Sequence, residues 1–211
     1  MKIAVIDYGI GNIRGILNAF ENQGANVFLT NNKDEILESD GVVLPGVGAF
    51  SHGMVNLEKY DLIDVIKKYV TLGKPFMGIC LGMQLLFEES EEFGVTQGLG
   101  LISGKVIKLP TKDSQNEKLP HISWNELNEK NISWGETILM DVKKGSDMYF
   151  VHSFVAQPRD SDNILSTTEY SNYHFCSSVK KNNIYGCQFH PEKSGPTGLK
   201  IINNFIGMCL I

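Results

Sequence analysis

The chain has 211 residues, 42% of them hydrophobic and 20% charged, with a formal net charge of −5, which bounds it to one well-buried globular domain or at most two small ones. Lys and Arg are scattered rather than clustered, which argues against nucleic acid, and no stretch reaches the ~18 apolar residues of a membrane span. The four cysteines, Cys80, Cys176, Cys187 and Cys209, show no C-x-x-C spacing, so neither a zinc site nor disulfides are expected; the opening MKIAVIDYG lacks a cleavable signal pattern, so the cytosol is the expected compartment.

The first half alternates strand and helix. Ile3 to Ile6 is a continuous apolar run, as for a strand buried on both faces, and Ile13, Ile16, Leu17 and Phe20 recur at helical spacing before Gly24. Val27 to Leu29 reads as a strand, Asp34 to Glu38 as a short helix and Val42 to Leu44 as a third strand. A helix bearing Leu62, Val65, Ile66, Tyr69 and Val70 precedes Gly73, and the strand Phe76 to Ile79 runs into Cys80, from which an apolar-periodic helix departs. Repeated βαβ crossovers imply a mostly parallel central sheet flanked by helices, with ligands beyond the carboxyl ends of its strands.

Beyond about residue 95 the pattern shifts to strands and turns. Lys105 to Leu109, Met148 to Ala156, Ile164 to Thr168, Phe175 to Val179 and Ile184 to Phe189 read as strands, so the C-terminal half adds antiparallel pieces to an α/β fold. The segment TKDSQNEK at 111–118 reads as a solvated loop, and a helix near Leu199 to Met208 closes the chain. No repeat or linker marks a second unit, so a single domain over 1–211 is expected.

The chemistry concentrates at strand ends. Gly78-Ile79-Cys80-Leu81-Gly82 is G-x-C-x-G, the sulfur form of a nucleophile elbow. The flanking glycines let strand, turn and helix approach closely, and a helix N-terminus favours thiolate over thiol. DYGIGN (Asp7 to Asn12) reads as a tight βα turn, since G-x-G without a third glycine is a weak phosphate signal. In PGVGAF (Pro45 to Phe50) the N–H of Val47 or Gly48 can point at a developing oxyanion beside the Leu81 N–H. In QFHPEKS, His190 and Glu192 are two apart in a segment read as extended and stiffened by Pro191, which suits a base and the group that orients it. His152 in YFVHSF is a rival base, but its place in mid-strand reads better as a satisfied polar core residue or a substrate-side wall.

GICLGMQ and FHPEKS, in that order and about 110 residues apart, resemble the class I (triad) glutamine amidotransferases; DYGIGN, LPGVGAF, PHISWN and YFVHSF are similar to the glutaminase subunits of imidazole glycerol phosphate synthase. The resemblance implies Cys80 as nucleophile, His190 as base and Glu192 as third triad member. It also implies oxyanion donors from Gly46, Val47, Gly48 and Leu81, and glutamine held by Gln84 and the backbone around Ser153 and Phe154. No cofactor or metal is implied. A cyclase partner of (β/α)₈ type is implied, forming a heterodimer and taking the ammonia, because this chain has no room for a second site of about 250 residues. Ser123 and Phe154 stand where that family usually has glycine and tyrosine, outside the triad. The same machinery is compatible with ammonia delivery to a sugar nucleotide by a paralogue, or with a partner-independent cysteine hydrolase of γ-glutamyl substrates.

Overall fold

The computed structural model describes residues 1–111, 118–130 and 132–210, so most of the loop expected at 111–118 lies outside the described residues. The parallel half is built from β1 (Ile3–Ile6), α1 (Ile13–Asn22), β2 (Val27–Thr30), α2 (Lys33–Glu38), β3 (Gly41–Leu44), α3 (Phe50–Lys59), α4 (Ile63–Thr71), β4 (Phe76–Ile79) and α5 (Leu81–Gln84). Then come β5 (Phe87–Ser90), β6 (Thr96–Gln97), β7 (Ile102–Lys108), β8 (His121–Glu126), β9 (Asn128–Glu129), β10 (Asp147–His152), β11 (Phe154–Pro158), β12 (Ile164–Tyr170), β13 (Tyr173–Lys181), β14 (Ile184–Cys187) and α6 (Gly195–Met208).

The main path of the large sheet runs β2-β1-β3-β4-β14-β13-β11-β7-β5-β6. Its first five strands are mutually parallel, and β13, β11 and β7 follow in antiparallel pairing. Side chains alternate across a strand, and the two core clusters divide accordingly. Ile3, Val5, Val43 and Met77 face α1 and α6, while Ala4, Ile6, Val42, Leu44 and Phe76 face the layer of α2, α3 and α4. Every residue of β1, β3, β4 and β14 is buried, the reason these strands read as unbroken apolar runs. The α1 helix stops at Gly24, whose φ of +81° suits glycine, and α2 starts from Asn32, whose side chain accepts from the Asp34 and Glu35 N–H groups at 2.9 and 3.2 Å.

Two expectations of the fold need correction, and one helix was not expected. The helix after Cys80 is a single turn, because Leu81, Met83, Leu85, Leu86 and Phe87 are all buried and the run is core on every side rather than an amphipathic stripe. The run Met148 to Ala156 is two strands broken at Ser153: β10 pairs with β8 in a separate ribbon, whereas β11 joins β7 and β13. The break is fixed where the Ser153 carbonyl accepts the Leu109 N–H at 2.9 Å. Helix α3 escaped the pattern reading because Ser51, Gly53 and Asn56 dilute it, although Phe50, Met54 and Leu57 share its buried face.

The β3–β4–α5 junction depends on absent side chains. A Cβ on Gly82 would overlap the Leu44 carbonyl, and one on Gly78 would lie 2.6 Å from the Gly82 backbone. Gly82→Ala should therefore cost about 3 kcal/mol or more in urea unfolding, since backbone rather than a flexible side chain blocks it. Gly207→Ala, in an open position of α6 with nothing within 4 Å, should instead be neutral or stabilising by up to about 1 kcal/mol. Equal effects of the two substitutions would contradict this packing.

Candidate active site

Cys80 sits at the carboxyl end of β4 with φ 54° and ψ −109°, a left-handed conformation that a non-glycine residue adopts only under constraint. Its N–H donates to the Cys187 carbonyl at 2.7 Å and its carbonyl accepts the Gln84 N–H at 3.2 Å, so the turn is held on both sides. Because β14 runs parallel to β4 with Cys187 opposite Ile79, Gln188 emerges beside Cys80, and the H-P-E run follows immediately. The Cys80 sulfur lies 3.9 Å from the Val151 carbonyl oxygen and 3.9 Å from Gln188 Nε2. With only one helical turn behind it, the sulfur gains little from a macrodipole. The expected helix contribution thus reduces to local N–H groups.

His190 and Glu192 are brought together at 2.8 Å, Nδ1 to Oε1, with side chains 2% and 1% exposed. The segment is not extended as expected: Pro191–Lys193 forms a 3₁₀ turn, which folds the carboxylate back onto the imidazole. The His190 N–H donates to the Tyr149 carbonyl at 3.0 Å and its own carbonyl accepts the Ser194 hydroxyl at 2.6 Å, fixing the backbone that carries the ring. Among the described residues, His190 Nε2 is buried without a hydrogen-bond partner. Burial alone would lower the proton affinity of this ring, but the nearby Cys80 sulfur and the hydrogen bond and charge of Glu192 outweigh it and raise the His190 pKa to about 10. The ring is thus built to carry a proton next to sulfur.

The Pro45–Gly48 loop closes over the elbow from β3. The Leu81 N–H, expected as an oxyanion donor, instead donates to the Gly46 carbonyl at 3.3 Å. Tyr8, from the DYGIGN turn, is fully buried and donates its hydroxyl to the Pro45 carbonyl at 2.6 Å. Burial, reinforced by the charge of Cys80, pushes the Tyr8 phenol up, so it remains a donor. A Cβ on Gly46 would lie 2.5 Å from that phenol oxygen and 3.0 Å from Leu81 Cβ, so only glycine fits there. DYGIGN is a tight turn, with Gly9 and Gly11 at φ +77° and +133°. Its tyrosine braces the loop.

In front of Cys80 lies a cavity of about 320 Å³ whose walls include Val47, Gly48, Leu81, Gln84, Ser153 and Phe154, as expected from the sequence. Gly46 packs against Leu81, and the buried His190 and Glu192 are not part of the cavity wall. Val151, Pro120 and Glu92 also line the cavity. Among the described residues Glu92 is the acidic side chain there, with Oε2 accepting the Phe50 N–H at 2.7 Å. Its signal in EESEEF looks like any solvated acidic run. The wider groove of about 600 Å³ lined by Glu88, Lys105 and Arg159 has no cysteine, serine or threonine among the described residues that line it.

His152 is a wall residue. Its Nδ1 donates to the Phe154 carbonyl at 3.0 Å and its Nε2 meets His121 Nδ1 at 3.1 Å. Burial, then the neighbouring His121, lower its pKa to about 3. Between that value and about 6.5 the unfolded chain binds a proton that the folded ring refuses, so His152 makes stability fall as pH drops, by about 1.4 kcal/mol per unit. Urea unfolding at about pH 6.5 and about pH 5 should show a shallower acid loss in His152→Gln than in the parent. Identical slopes would mean that the ring is not held neutral.

The match to the Glutamine amidotransferase class-I family spans residues 4–208. The "Imidazole glycerol phosphate synthase subunit HisH 1" of Legionella pneumophila (strain Lens) is 45% identical over 209 residues, covering 97% of this chain and 98% of that protein. The HisH subunit of Aquifex aeolicus (strain VF5) is 47% identical over 206 residues, covering 97% and 96%. The structure of PurLQS from Thermotoga maritima shares the fold at a TM-score of 0.71 and 21% identity, covering 98% of this chain and 97% of that one. The chain belongs to the glutamine amidotransferase class-I family, among its HisH members.

Proposed function

We propose that this chain is the glutaminase subunit of imidazole glycerol phosphate synthase, one catalytic domain that hydrolyses glutamine and passes ammonia to a cyclase partner in the cytosol. The observation that carries this reading is the juxtaposition, in a chain 45% identical to a HisH subunit, of Cys80, the His190–Glu192 pair and a cavity of about 320 Å³ suited to one amino-acid substrate.

In this reading the Cys80 thiolate attacks the side-chain amide carbon of glutamine and His190, carrying the thiol proton, delivers it to the departing ammonia. Glu192 holds the ring and stabilises its charged form. Water, deprotonated by His190, then cleaves the glutamyl thioester to glutamate and restores the thiol. Glu92 suits the α-ammonium of the substrate as the acidic wall residue, and Gln84 offers an amide.

The oxyanion needs N–H donors, and in the resting arrangement the Leu81 N–H is occupied by the Gly46 carbonyl. Rotating the Gly46–Val47 peptide would turn that carbonyl away and present the Val47 N–H, a change glycine permits. A docked, ligand-loaded partner would supply the bias. The mouth is apolar enough for docking: Val47, Ile122 and Trp124 are 42%, 58% and 51% exposed, and Ile122 lies opposite the wall residue Val151 in the β8–β10 ribbon. A (β/α)₈ cyclase in a heterodimer is the partner this reading requires. Phe154 reaches Gln84 and His152 through its backbone carbonyl, so phenylalanine in place of tyrosine leaves that contact intact.

The test is glutamate release by the purified chain alone, with the cyclase partner from the same source, and with partner plus acceptor. Turnover should be low alone and rise steeply with the loaded partner, with imidazole glycerol phosphate formed in step. Cys80→Ala and His190→Ala should reduce it to background, while Glu192→Gln should keep about 100-fold more activity than either, because orientation is only partly lost. Partner-independent full turnover, or ammonia delivered only to a sugar nucleotide, would overturn the assignment.

A further inference from the structure

Gln188 lies between the substrate wall and the nucleophile, and nothing in the mechanism above uses it. It is fully buried, with its backbone N–H on the Ser177 carbonyl at 2.9 Å. Its Oε1 accepts from Gln84 Nε2 at 3.0 Å, and its own Nε2 points at the Cys80 sulfur at 3.9 Å. Gln84 Nε2 makes a second hydrogen bond, to the Phe154 carbonyl at 3.0 Å.

These contacts fix the direction of both amides. Two acceptors take the Gln84 amide hydrogens, so its nitrogen must face the protein. Its Oε1 is left toward the cavity, where among the described residues it carries no hydrogen bond yet is not enclosed. The same logic turns the Gln188 nitrogen toward sulfur. The sulfur therefore sits between an acceptor, the Val151 carbonyl at 3.9 Å, which holds a thiol proton, and a donor, Gln188 Nε2, which favours the thiolate. A hydrogen bond to a charged acceptor is roughly twice as strong as one to a neutral acceptor, so this donor counts for more once the proton has left.

We propose that Gln188 is a positioning residue for the glutaminase reaction: one end of its amide orients Gln84 toward the substrate and the other supplies a hydrogen bond to the Cys80 thiolate. The proposal rests on the glutaminase reading and adds to it a physical link between the substrate wall and nucleophile activation. The other ionisable groups facing the sulfur are His190 with Glu192 behind it, Tyr8 under the oxyanion loop, and His152 and Glu92 on the cavity wall. All of them remain in the variants below.

The experiment measures the pH dependence of Cys80 alkylation by iodoacetamide, which displaces iodide and needs no glutamine. It is combined with glutaminase kinetics of the full chain in complex with its cyclase partner. Gln188→Met should move the alkylation midpoint up by about one pH unit, a tenfold lower reactivity on the acid side, and raise KM while lowering kcat. Gln188→Glu keeps the acceptor for Gln84 but replaces the donor by a negative charge, so its midpoint should rise at least as far with a smaller change in KM. Gln84→Met should raise KM and, because the Gln188 donor stays beside the sulfur while losing only its orienting partner, move the midpoint by less than Gln188→Met does.

A core-filling role would lower the melting temperature of the Gln188 variants without moving the midpoint, and that result would overturn the proposal. If neither variant folds, the side-chain amide resonance of Gln188 in the unsubstituted protein decides. It should shift as Cys80 titrates, and insensitivity to that titration counts against the link. An unsubstituted complex that alkylates at Cys80 yet releases no glutamate would defeat the glutaminase reading, while the midpoint comparison would still judge the hydrogen bond.

Discussion

The left-handed turn at Cys80 is the constraint on which the rest of the site depends. A residue with a side chain costs about 1–3 kcal/mol in such a conformation, and here the surroundings hold it there. The Cys187 carbonyl grips its N–H, Gln84 grips its carbonyl, and Gly78 and Gly82 let β3, β4 and α5 approach to distances no Cβ would allow. Relaxing the turn to an ordinary conformation would swing the sulfur away from the cavity it lines. The same close packing sets Gly46 against Tyr8 and Leu81, so the elbow and the oxyanion loop form one mechanical unit.

The substrate wall has a different origin. It exists because the chain changes sheets at Ser153: β10 belongs to the ribbon with β8, and β11 to the large sheet. Beside that crossing the Val151 carbonyl turns to the sulfur and the Phe154 carbonyl to Gln84 and His152. The buried His121–His152 contact spans the two strands of the ribbon at their last paired position. Through the His152 Nδ1 it holds the Phe154 carbonyl in place at the cavity wall.

What was legible in the sequence follows from how local each cause is. IAVI, GVVL and FMGI announced strands buried on both faces, and the parallel strands came out as read, although α3 did not. The turn at Cys80 and the pairing of His190 with Glu192 were legible because G-x-C-x-G and H-P-E are short local patterns, although the second pairs its side chains through a 3₁₀ turn rather than an extended segment. Gln188, Glu92 and Tyr8 were not, because their importance lies in contacts with residues 104, 42 and 37 positions away. The helix after Cys80 misled for a related reason: an apolar run buried on all sides mimics an amphipathic period until its length is known. The state of the oxyanion loop is beyond any sequence pattern, since one peptide rotation separates an N–H from a carbonyl.

The most direct test of the account is a crystal structure of the chain, with its cyclase partner, after reaction with a diazo-ketone analogue of glutamine. The account predicts a thioether on Cys80 Sγ, the ketone oxygen within hydrogen-bond distance of the Leu81 N–H and a loop N–H, and the Gly46 carbonyl turned away from Leu81. An adduct on another residue would contradict it, as would a Cys80 adduct whose oxygen lies in solvent while Gly46 still holds the Leu81 N–H.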